Sequence, residues 1–204
     1  MEAFPFPWKT WPFARSLYLE RSVQRDPKNF SALNDFALAC ADLSDLPPER
    51  SGDRKEEFAQ RAQSNWTRSL AIEPRQQRAR YNLAALTADQ GKIEEAIAQL
   101  VEALKYRNWQ NEPNPLRTKD VHYNLACYRS KLGATRETQK MEWQSVLNAA
   151  AADLEKACER YESEERVRKQ TLDTLIDDCK SGGDLEWLNT KRPDAVEAAK
   201  QKLQ

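Results

Sequence analysis

Glycine and histidine are scarce in this sequence, with five glycines and one histidine among 204 residues. No Gly-x-x-x-x-Gly-Lys-Ser/Thr or Gly-x-Gly-x-x-Gly run occurs, so the common phosphate-cradling loops are missing. A lone His122 excludes a His-Glu-x-x-His zinc site. The four cysteines, Cys40, Cys127, Cys158 and Cys179, contain no Cys-x-x-Cys pair, which points to reduced thiols in helix interfaces rather than to zinc or a disulfide framework. No apolar run reaches the ~18 residues that a bilayer-spanning helix needs. No basic, then apolar, secretion signal opens the chain. A cytoplasmic location is the expectation.

Charge of one sign is also missing. The 32 basic and 32 acidic residues cancel, so no long-range field draws the chain to nucleic acid or an anionic membrane. Strand signals are lacking as well: nowhere do β-branched and polar residues alternate for long. What remains is rich in Ala, Leu, Glu, Lys, Gln and Arg, all good helix formers.

An internal repeat organises these helices. Asp26-Pro27, followed by Phe36-Ala37, aligns with Glu73-Pro74, followed by Leu83-Ala84. Val121 to Cys127, with Leu125-Ala126, repeats the helical part a third time, with Pro115 one residue off the proline position. A second helix follows each first one. Gly91 opens the clearest of these, with Ala96, Leu100 and Ala103 on one face. Ala62, Trp66 and Pro74 stand at matching intervals in the first unit. In the third unit Gly133 falls at the turn position, while Thr138 and Glu142 take the places of the small and large apolar residues.

This pattern resembles the tetratricopeptide repeat, whose unit of about 34 residues carries Leu and a small residue on helix A, then Ala-x-x-x-Phe and Pro on and after helix B. The resemblance spans residues 14–148. It implies an all-α fold, a right-handed superhelix of antiparallel helix pairs with capping helices. Residues 1–13 form a separate Pro/aromatic segment, expected to cap the first helices, and residues 149–204 a C-terminal helical extension and cap. Residues 44–56 are inserted in the first unit, and Arg107 to Pro115 lengthen the link before the third. Met141 to Lys180 reads as long helix, with a bend or split near Glu162 to Arg168, and a final helix opens at Pro193.

No catalytic constellation emerges. His122 and Cys127 lie five residues apart, so on a helix they point about 140° from each other. Binding of a protein or peptide partner, with no cofactor, is the expectation. In tetratricopeptide domains the A helices line the concave groove. With the core face at Phe36-Ala37, Leu83-Ala84 and Leu125-Ala126, the groove side receives Asn34 and Asp35, then Arg78, Tyr81 and Asn82, then Asp120, Tyr123 and Asn124. Cys127 falls on that side too. An Asn amide both donates and accepts, so it can bracket peptide backbone. The alternative is that these amides serve the protein's own hydrogen bonds. The carboxylate clamp of chaperone-binding relatives is not reproduced: Asn34, Leu38, Asn82, Asp120 and Asn124 stand at its places, and only Asn82 agrees. A second functional reading is a structural assembly subunit, docking through its C-terminal helices or the 44–56 insertion.

Overall fold

A computed structural model describes residues 12–47, 49, 52–106, 118–158 and 165–203, and within them all regular structure is helical. The aromatic segment before Pro12, the link from Arg107 to Pro115 and the bend near Glu162 lie wholly or largely outside the described residues. Two compact units make up the chain, residues 1–86 and 87–204.

The first unit contains α1 (Pro12–Arg25), α2 (Phe30–Ser44), α3 (Lys55–Ile72) and most of α4 (Gln77–Asp89). Proline turns separate the helices where the repeat predicts them. Asn29 caps α2, its side chain accepting from the Ala32 amide at 3.0 Å. Ser69, near the end of α3, donates to the Phe30 carbonyl at the start of α2, so the two run antiparallel. Arg15 early on α1 pairs with Asp42 late on α2 at 2.8 Å, giving the same relation. Val23, Leu33, Phe36, Ala37, Cys40, Ala62, Trp66, Ala79 and Leu83 form one buried cluster. Its alanines let the helices approach closely, and Trp66 fills the space they leave. Of the 44–56 insertion, Ser44 is the last residue of α2, Gly52–Arg54 form a 3-10 turn, and Lys55 begins α3.

The second unit begins in the last turn of α4. Gly91, at φ 78°, ends that helix: its amide donates to Ala88 O and the Lys92 amide to Thr87 O, the paired bonds of a glycine-terminated helix. Then come α5 (Ile93–Lys105), α6 (Thr118–Thr138), α7 (Gln144–Cys158), α8 (Glu165–Asp178), α9 (Glu186–Lys191) and α10 (Pro193–Leu203). Ala96, Leu100 and Ala103 of α5 are fully buried, as their spacing predicts. Glu94 at the start of α5 bonds Arg136 near the end of α6, so these helices are antiparallel too.

Two expectations are corrected here. Gly133 does not turn the chain: α6 runs through it to Thr138. The helix ends instead at Lys140, a non-glycine residue at φ 57°, with the Met141 amide bonded to Arg136 O and the Lys140 amide to Glu137 O. Helix B of the third unit therefore starts at Gln144, not Met141. Thr138 and Glu142 never enter it, and Ala150, Leu154 and Ala157 supply its buried face. Gly133 has another use. A Cβ there would overlap the Trp187 ring, so the glycine lets α9 lie against α6. Trp187 Nε1 donates to Glu137 at 2.8 Å, and its ring meets Trp143 edge-on at 5.7 Å between centroids. Lys191 pairs with Glu137 and stands over the Trp143 ring.

Candidate peptide-binding surface

The A-helix side chains named above divide between the two units. Asn34 and Asp35 lie on α2, Arg78, Tyr81 and Asn82 on α4, and all five belong to the first unit. Asp120, Tyr123 and Asn124 lie on α6 in the second. All except Asp35 are half-buried, and Asp35 is exposed.

Asn34 is engaged within the protein. Its amide donates to Gln76 Oε1, and its own oxygen is buried with no partner among the described residues. Asn82 and Asn124 differ: neither side chain bonds another described residue, and neither is sealed from solvent. The recurrent tyrosines also need separate treatment. Tyr123 donates to Asp178 Oδ2 at 2.6 Å, and burial together with that carboxylate pushes its hydroxyl pKa far up. It is thus a neutral donor holding α8 to α6. Cys127, one turn on, is 3% exposed, so the helix projection that placed it toward the groove is corrected; burial raises its thiol pKa well above normal.

His122 is engaged within the second unit. Its Nδ1 lies 2.9 Å from Asp153 Oδ1, and the other carboxylate oxygen takes Arg129. Asp153 is 3% exposed, so a buried anion is compensated by two partners from α6, the arrangement such a charge requires.

Sequence reasoning missed a groove on the first unit. Ala14, Arg15, Tyr18 and Leu19 of α1 and Asp35 of α2 line a half-open cavity of about 660 Å³. Tyr18 is 73% exposed, with Leu17 and Phe13 also open on the same helix. No single segment signals this groove, because it arises where two helices meet. Aromatics at Phe13 and Tyr18 on a helix that runs into Pro27 are the only hint.

No protein-family model matches the chain, and comparison with curated proteins finds no match. Among solved structures, that of MamA matches over 100% of this chain and 94% of its own, at TM-score 0.57 and 12% identity. At that identity the likeness concerns backbone architecture. Joined to the antiparallel helix pairs, it shows an all-helical repeat fold, which fits a tetratricopeptide-like arrangement.

Proposed function

We propose that this protein is an interaction module that holds an extended peptide segment of a protein partner along its A-helix surfaces. The observation that carries this reading is made separately in each unit, at Asn82 in the first and Asn124 in the second. Both stand at the same repeat position, both are half-buried, and neither amide bonds another described residue. Asparagine is an indifferent helix former, so its recurrence at a helix surface with its hydrogen-bonding groups open favours a role toward a ligand. Each amide can both donate to and accept from peptide backbone. The likeness to MamA adds a scaffold of the right kind.

The test is selection of dodecapeptides from a random library on the immobilised protein, followed by calorimetry. Asn82→Ala and Asn124→Ala should each weaken a selected peptide by about two- to tenfold, as loss of hydrogen bonds worth ~0.5–1.5 kcal/mol implies. Melting temperature should hardly change. Affinity should not require a free C-terminal carboxylate. Unchanged affinity in the double variant would move the site elsewhere.

The assembly-subunit reading has one feature in its favour. Ala151, Ala152, Ala195, Ala198 and Ala199 line a groove between α7 and α10, which suits close approach of another helix. Sedimentation velocity across a dilution series separates the two: a monomer at micromolar concentration supports the peptide-holding module, and a persistent oligomer supports assembly.

A further inference from the structure

We propose that the groove between α1 and α2 receives a lysine or arginine side chain of the bound peptide, its stem along Ala14 and Leu19 and its cation between the Asp35 carboxylate and the Tyr18 ring. This rests on the peptide-holding reading and specifies the chemistry of one position in that peptide.

Charge bookkeeping in the first unit leads to it. Arg15 is the one cation among the described groove-lining residues, and its guanidinium is bonded to Asp42 at 2.8 Å. Glu20, on the same helix, is paired with Arg61. Asp35 has no hydrogen bond or ion pair to any described residue. Its pKa is raised, desolvation outweighing the attraction of Arg15, so an arriving cation relieves an unfavourable charge.

The walls fit the same ligand. Ala14 and Leu19 offer apolar surface to a methylene stem. Tyr18 lines the groove and is largely exposed, so a cation can gain from its ring's negative face. An acidic side chain or terminal carboxylate would instead meet Asp35 directly. A neutral side chain would bury it further without compensation.

The experiment uses the full chain and the same random dodecapeptide library. Peptides selected on the wild type should carry Lys or Arg at one recurrent position. Replacing that residue by Gln should weaken binding about two- to fivefold, the range for a solvent-exposed ion pair. Asp35→Asn should weaken the parent peptide similarly and make the Lys-to-Gln replacement nearly silent, as coupling of the two charges requires. Tyr18→Ala should cost about two- to fivefold. Both variants change exposed side chains and should melt like the wild type. If selected peptides bind but show no basic residue, the peptide-holding reading stands and this inference falls. The same holds if the Lys-to-Gln effect persists undiminished in Asp35→Asn. If no peptide is selected at all, both fail together.

Discussion

The side-chain amide of Asn34 donates to Oε1 of Gln76, tying α2 to the entrance of α4. The orientation follows from the other contacts. Gln76 Nε2 faces the carbonyls of Ser69 at 3.0 Å and Glu73 at 2.7 Å, which can only accept, so Oε1 must face Asn34 and the Ser69 hydroxyl. A single glutamine, 1% exposed, thus joins three helices of the first unit.

Gln76→Ala should therefore destabilise by about 2–4 kcal/mol, since several buried groups would lose partners at once. Chemical denaturation of the wild type and variant measures it. A loss below ~1 kcal/mol would show that water replaces the amide without penalty. Asn34→Ala should lower stability more than it lowers peptide affinity.

Leu83→Ala should destabilise by about 2–5 kcal/mol, because it opens a cavity in the first unit's core. Leu83 is 7% exposed and packs in the cluster with Phe36, Ala37 and Trp66. An equilibrium urea curve provides the value.

Gly133→Ala should destabilise by about 1–3 kcal/mol, the range for overpacking. The added methyl meets the Trp187 ring, which Glu137 and Trp143 hold in place. The indole N–H resonance of Trp187 should shift as its bond to Glu137 weakens. Pairing the substitution with Trp187→Ala should remove most of its additional cost.

Lys140→Gly should raise stability by about 0.5–1 kcal/mol. The wild-type lysine holds a left-handed conformation at φ 57°, which glycine adopts without strain, although glycine's freer unfolded state offsets part of the gain. Differential scanning calorimetry should show a higher Tm.

Native-state alkylation should label Cys179 first. Cys40, Cys127 and Cys158 are buried, and Cys179 is half-buried. Burial pushes the Cys40 and Cys158 thiols up to about 11, so little thiolate exists there at pH 8. Mass spectrometry after iodoacetamide treatment gives the order, and early labelling of Cys158 would contradict the packing of α10 over α7.

Period and small-residue spacing made the helices legible, because Ala96, Leu100 and Ala103 carry the same information in the sequence as in the core. Helix ends were less legible. Gly91 ends α4 as its residue type suggests, but Lys140 ends α6 by an identical hydrogen-bond pattern with no glycine to mark it. Gly133 then drew the turn to the wrong place. The expected surface was legible only by helix projection, which gives direction but not neighbours. It could not foresee that Gln76 would occupy Asn34, that Asp178 would occupy Tyr123, or that Tyr18 and Asp35 would line one groove. Each depends on a residue distant in the chain.

The C-terminal helices carry an evolutionary consequence. Repeat proteins lengthen by duplicating a helix pair, and the copy must stack on the pair before it. On the α6–α7 pair that place is already taken: the Leu188 amide bonds the Ser130 hydroxyl on α6, and Lys202 reaches Glu155 on α7. A lineage that gained another repeat after Cys158 would first have to lose the segment from Glu186 to Leu203, so duplication at this face is a two-step change rather than one.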